Sequence, residues 1–122
     1  MPDLPRSDPK QFYQGAPLLS VPDVPATVGF YKRVLGFEAG TETSEYSVVW
    51  RDNAAVHFAS GERAPTGVRI FFWVKDVDAL HTEVTERGAT IAVPIGTRPY
   101  HIRDFSIRDP NGVEVVFGQD WD

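Results

Sequence analysis

The chain has 122 residues, 42% hydrophobic and 24% charged, enough for one compact domain with a real core. It contains no cysteine, which excludes disulfides, thiolate metal sites and cysteine nucleophiles, and its formal net charge of −5 disfavours nucleic acid, whose binding depends on neutralising phosphates. No apolar run is long enough to cross a bilayer, and Met1 to Arg6 has neither a basic n-region nor an apolar h-region, so a soluble, cytoplasmic protein without a cleaved signal is expected.

Residues 1–14 are polar, carry Pro2, Pro5 and Pro9, and show no periodicity; they are expected to form an arm, loose or lying on a partner. Ala16 to Val21 suits a strand, with Leu18 and Ser20 on one face and Leu19 and Val21 on the other. Asp23 is a good N-cap and Pro25 fits a first helical turn, after which Val24, Val28, Tyr31 and Leu35 recur at helical spacing until Gly36. Strands follow over Phe37–Thr41, Tyr46–Arg51 and Ala54–Ala59, the last two joined by an Asp52-Asn53 turn. Gly61 to Gly67, with Pro65 and no apolar pattern, reads as a linker.

Beyond the linker the pattern starts again. Val68–Val74 suits a strand, and Asp76 caps a helix with Val77, Leu80 and Val84 inward and His81, Glu83, Glu86 and Arg87 outward, ended by Gly88. Thr90–Val93 is a further strand, then a long loop runs through Gly96 and Pro99. Asp104 to Gln119 closes the chain as a hairpin turned at Asp109-Pro110-Asn111-Gly112. Val21-Pro22-Asp23-Val24-Pro25-Ala26 aligns with Val74-Lys75-Asp76-Val77-Asp78-Ala79, and Arg51-Asp52-Asn53 followed by Ala54 to Phe58 matches Arg108-Asp109-(Pro110)-Asn111 followed by Val113 to Phe117. Landmarks repeated in the same order argue for internal duplication. The expected fold is α+β, a single domain over 15–122 built of two βαβββ repeats (about 15–60 and 67–119) that form a curved mixed sheet with a concave cup.

These motifs carry a resemblance. Val21-Pro22-Asp23-Val24, Phe30-Tyr31, Val34-Leu35-Gly36-Phe37, Val74-Lys75-Asp76-Val77 and Arg108-Asp109-Pro110-Asn111-Gly112 together resemble the vicinal oxygen chelate superfamily of glyoxalases, extradiol dioxygenases and fosfomycin and bleomycin resistance proteins. The resemblance implies a fold more firmly than an activity, because the superfamily is functionally mixed. It also implies where metal-dependent members take their His and Glu ligands: here Ala16, His57, Arg69 and Val116. Of these only His57 can ligate, and Arg69 puts a fixed positive charge where a cation would sit, so no metal of the family type and no cofactor are expected. His101 and Glu114 are the remaining candidates for ligands beside His57. A hydrogen-bonded structural role is expected for His57 otherwise, a solvent-facing one for His81, and a salt bridge for Arg69.

Within the superfamily the chain is most similar to the bleomycin resistance proteins. Tyr46 stands before Val48-Val49-Trp50-Arg51-Asp52, Phe71-Phe72-Trp73-Val74 resembles their aromatic strand, Arg98-Pro99-Tyr100 their Gln-Pro-Trp loop, and Phe117-Gly118-Gln119-Asp120 a common ending. Tyr100 replaces a tryptophan and His101 a usual glycine. The resemblance implies a non-catalytic homodimer, with an exchanged N-terminal segment in some members, that sequesters a cationic antibiotic. Strand alternation sends Arg69, Phe71 and Trp73 to one face and Ile70, Phe72 and Val74 to the helix side, while Tyr46 and Trp50 share a face of their own strand. The expected ligand contacts are Tyr46, Trp50, His57, Arg69, Phe71, Trp73, Tyr100 and His101, suited to stacking on a flat, aromatic, cationic molecule. The alternatives are a metal-independent enzyme, with His57 as general base and Arg69 holding an oxyanion, and a dimeric interaction module with a vestigial cup.

Overall fold

The computed structural model describes residues 11, 12 and 14–122. Nearly all of the expected arm lies outside the described residues; at its end, Gln14 donates a side-chain hydrogen bond to the Asn53 carbonyl at 3.3 Å. The chain divides between Ala64 and Pro65 into two compact units. The first contains β1 (Leu18–Val21), α1 (Val24–Arg33), β2 (Glu38–Gly40), β3 (Tyr46–Arg51) and β4 (Ala54–Ser60). The second contains β5 (Arg69–Trp73), α2 (Val77–Glu86), β6 (Thr90–Thr97), β7 (Ile102–Arg108) and β8 (Glu114–Asp120). Each unit is thus βαβββ, and each makes its own four-stranded mixed sheet, ordered β1-β4-β3-β2 and β5-β8-β7-β6.

The duplication extends to register. Leu18 opposes His57 across the parallel pair of the first sheet, and Phe71 opposes Val116 at the same place in the second. One part of the sequence alignment shifts by a residue. Trp50 opposes Ala55 whereas Arg108 opposes Glu114, so Arg108 is the counterpart of Trp50 and not of Arg51. The cause is the turn. The first hairpin closes in two residues, with Asp52 in the left-handed region at φ 50, whereas the second holds Pro110-Asn111-Gly112 between Asp109 and Val113, with Gly112 at φ 83. The Asp109 carboxylate accepts from the backbone N–H of Asn111 at 2.8 Å and of Val113 at 3.0 Å, which fixes that loop.

Both helices start as their sequences dictate. The Asp23 carboxylate accepts from Ala26 N and that of Asp76 from Ala79 N, each at 3.0 Å, satisfying an amide that the helix leaves unpaired. Asp23→Ala and Asp76→Ala should each cost about 1 kcal/mol of stability, read as a fall in urea midpoint at unchanged slope.

Each helix covers one face of its own sheet. Under α1 the buried Tyr31 ring meets Phe58 at 5.1 Å and Phe37 at 5.7 Å between centroids, with Val21, Val49 and Val56 fully buried around them. In the second unit Phe105, Phe117 and Phe72 stack in tilted pairs, 5.2 and 6.1 Å apart, beside Val77, Val84, Ile107 and Val115. Burial of these side chains supplies the main driving force for each unit.

Two expectations are corrected. β6 does not end at Val93 before a long loop but runs on to Thr97, with register shifts between Ile91 and Val93 and between Val93 and Gly96. It is an edge strand, where a proline such as Pro94 and local bulges are tolerated. His81 does not face solvent: it is half-buried, edge-on to Phe105 with centroids 4.9 Å apart. Its spacing from Val77 and Val84 places it on the inward stripe of α2.

Candidate functional site

The opposite, helix-free face of each sheet carries the residues singled out by sequence. In the first unit this face holds Leu18, Ser20, Tyr46, Val48, Trp50, His57 and Ala59, as the cross-strand pairs fix. Tyr46 and His57 meet: the Tyr46 hydroxyl and His57 Nδ1 share a hydrogen bond, and the rings stand edge to face with centroids 5.8 Å apart. Trp50 lies against Gly40, where an added Cβ would stand 3.2 Å from the indole, so glycine at that position leaves room for the ring. Leu18 is 61% exposed beside His57, and sequence reading gave it no role because a single leucine on an edge strand carries no distinctive signal.

In the second unit the helix-free face holds three rows across β5, β8 and β7. Arg69, Glu114 and Arg108 form the first, Phe71, Val116 and Ser106 the second, and Trp73, Gly118 and Asp104 the third. Phe71 and Trp73 are 44% and 60% exposed and pack on each other in a T, with centroids 4.8 Å apart. Gly118 makes room for this pair, since a Cβ there would lie 2.5 Å from the Phe71 ring. Arg69 makes the expected salt bridge, its Nε 3.4 Å from Glu114 Oε1.

Glu114 is buried. Ser106 Oγ donates to its Oε2 at 2.7 Å, and Arg108 Nη2 stands 4.0 Å from Oε1. Sequence reading gives Ser106 and Arg108 no role, although polar residues alternate with Phe105 and Ile107 along β7 and so mark a polar face opposite the buried one. His57 already bonds to Tyr46, Glu114 faces a serine and two arginines, and no cluster of three His, Asp or Glu occurs among the described residues. Of the positions that the family resemblance implies as ligands, His57 is the sole possible donor in the first unit, and Arg69 and Val116 offer none in the second.

Tyr100 and His101 sit on the tight turn between β6 and β7. His101 N donates to the Arg98 carbonyl at 3.2 Å, His101 takes the left-handed conformation at φ 62, and Tyr100 projects 62% exposed. The Arg98 side chain braces the turn from beneath, with Nε 2.8 Å from Asp104 and Nη2 donating to the Pro94 carbonyl at 2.7 Å. Nearby, Arg103 clamps the Asp78 carboxylate through Nε and Nη2 and lies 5.3 Å from the Trp121 ring. The hydrogen bonds from Arg103 hold the Asp78 carboxyl below its ordinary value of 3.8.

A depressed carboxylate contributes stability that is complete above 3.8 and lost as pH falls through the lower folded value. The group is exposed, so the effect is small. Asp78→Asn should flatten the acid limb of the stability curve only below that pH, as read by urea unfolding at stepped pH. A separate open hollow of about 470 Å³ lies between α1 and the loop before β3, lined by Lys32, Arg33, Glu42 and Ser44 among others. None of the sequence-predicted site residues lines it.

The sequence profile of the Glyoxalase/Bleomycin resistance protein/Dioxygenase superfamily matches residues 14–117. This chain belongs to that superfamily. Among solved structures it is similar to the bleomycin-binding protein from bleomycin-producing Streptomyces verticillus, complexed with copper(II)-bleomycin, at 32% identity and a TM-score of 0.77 over 88% of this chain and 95% of that one. Two less similar solved structures match in fold. TioX from Micromonospora sp. ML1 is 21% identical with a TM-score of 0.76, covering 89% of this chain and 99% of that one. The bleomycin resistance determinant encoded on transposon Tn5 is 17% identical with a TM-score of 0.79, covering 89% and 98%. No curated protein sequence matches this chain.

Proposed function

We propose that this protein is a non-catalytic binder that sequesters a flat antibiotic of the bleomycin type, and so confers resistance, as a cytoplasmic homodimer without a resident metal. The observation that carries this reading is the Phe71–Trp73 pair, two large aromatic rings standing exposed on a helix-free sheet face in a chain 32% identical to a bleomycin-binding protein. Exposed aromatic surface of this size, with polar groups beside it, suits stacking on a planar ring system. Tyr46, Trp50, His57, Tyr100 and His101 are the further proposed contacts, and the net charge of −5 favours a cationic ligand at long range. The homodimer is supported by sheets that end on β1 and β2, and on β5 and β6, because open edges favour pairing. Among the described residues no helix is long and apolar enough to cross a membrane, which is compatible with the cytoplasmic assignment.

Titration of metal-free and copper(II)-bleomycin into the protein, followed by tryptophan fluorescence and calorimetry, tests the reading. Saturable binding near one ligand per chain at micromolar concentration or below supports it, and no heat and no quenching sink it. Light scattering reports the dimer, which a single-chain mass would refute. The enzyme alternative draws on the Tyr46–His57 hydrogen bond, which orients an imidazole on the helix-free face. Turnover of a small oxygenated substrate that is abolished in His57→Ala would establish it in place of sequestration.

A further inference from the structure

The first row of the second unit's helix-free face joins two guanidinium groups to one carboxylate. Glu114 is buried and anchored by Ser106, and its Oε1 faces both Arg69 and Arg108. The row therefore carries a net charge of about +1 among the described residues, on a chain whose total is −5. The two arginines keep exposed surface. The closest approach of Arg69 to Glu114 is by Nε at 3.4 Å and its side chain is 70% exposed, while Arg108 uses Nη1 on the Gly112 carbonyl at 3.2 Å and is 51% exposed. A buried carboxylate faced by two arginines, one from the strand on either side, brings both guanidinium groups to one row. Such planar donors suit an oxyanion.

The aromatic pair starts one row away. Rows on one face of a strand are two residues apart, roughly 6–7 Å. A group bonded to Arg69 and Arg108 therefore lies within one fused ring's length of Phe71. We propose that Arg69 and Arg108, held by Glu114, form an oxyanion subsite, and that this face takes planar aromatic acids, with the carboxylate on the two arginines and the ring against Phe71 and Trp73. The inference rests on the reading that the helix-free face binds ligands and goes beyond it: whatever the long-range charge of the chain favours, at this end of the face the preferred ligand group is anionic, and a cationic group is disfavoured by the surplus guanidinium. Asp104, at the Trp73 end, is neutralised by Arg98, so the charge of the face is asymmetric along the strands.

The test uses three probes of one shape: 2-naphthoate, 2-naphthamide and 2-naphthylmethylamine, titrated by calorimetry into the full-length protein at low ionic strength. Naphthoate should bind at least about 10-fold more tightly than the amide, in keeping with the added strength of charge-assisted hydrogen bonds, and the amine should bind least. Arg69→Gln and Arg108→Gln should each lower naphthoate affinity by about 5-fold or more and leave the amide unchanged, whereas Trp73→Ala should weaken both. Equal affinity for the three probes, no binding of any, or arginine variants indistinguishable from the parent would overturn the subsite. Urea unfolding of each variant separates loss of the site from loss of the fold.

Bleomycin titrated into the same preparations keeps the two claims apart. Arg-dependent naphthoate binding without bleomycin binding leaves the subsite standing and sinks the sequestration reading. Bleomycin binding beside charge-blind naphthyl binding sinks the subsite alone.

Discussion

Replacing Phe58 by alanine should lower the unfolding free energy by about 3–5 kcal/mol. Phe58 is fully buried on β4, which pairs with both β1 and β3, and its ring meets that of Tyr31 beneath α1. Deleting it removes the transfer free energy of the ring and opens a cavity that β-sheet backbone on either side cannot collapse to fill. Its counterpart in the second unit, Phe117, is 3% exposed between Phe72 and Phe105, so Phe117→Ala should cost a similar amount. Losses of this size are a large share of a stability of about 5–15 kcal/mol for a domain of this kind. Urea unfolding followed by circular dichroism measures them, and a loss below about 1 kcal/mol would show that the Tyr31 cluster repacks.

Much of the fold was legible because its signals are local. Asp23 and Asp76 cap at the expected positions, Gly36 and Gly88 follow the helices with positive φ, and β3 spans Tyr46–Arg51 as read. Strand alternation placed Phe71 and Trp73 opposite Ile70 and Phe72 because a period of two leaves only one choice once one face is buried. The failures share a physical cause, which is that pairing across strands is not local. The sequence reading ends β6 at Val93, before a loop through Gly96 and Pro99, whereas the strand runs on to Thr97 because an edge strand has no partner on its outer side to lose and so tolerates Pro94. Arg51 was matched to Arg108 because the motif repeats in sequence, while the longer second turn moves the ladder by a residue. Arg69 was expected to find a carboxylate, but only the register that sets it against Glu114 names the partner and brings Ser106 and Arg108 to the same place.

Trp73→Ala should weaken the binding of copper(II)-bleomycin by about 2 kcal/mol, roughly 30-fold, because truncating a central aromatic anchor removes a disproportionate share of binding energy. It should cost little in stability. The indole is 60% exposed and its main described contact is the T-shaped pair with Phe71, worth about 0.5–1.5 kcal/mol. A small residue beneath the pair provides a second, independent test. Gly118 pairs with Trp73 across β5 and β8, and a Cβ built on it would lie 2.5 Å from the Phe71 ring, closer than real side chains come. The backbone of Gly118 is held in place, its carbonyl accepting from Val74 N at 2.8 Å, so the ring has to give way. Gly118→Ala therefore changes no ligand contact directly but turns Phe71 off its seat and out of its T with Trp73. If the pair is the binding surface, Gly118→Ala and Trp73→Ala should both lower bleomycin affinity, and combining them should cost less than the sum of the two. Full additivity would mean that the two residues act separately, and an unchanged affinity in both variants would move the binding surface away from this face.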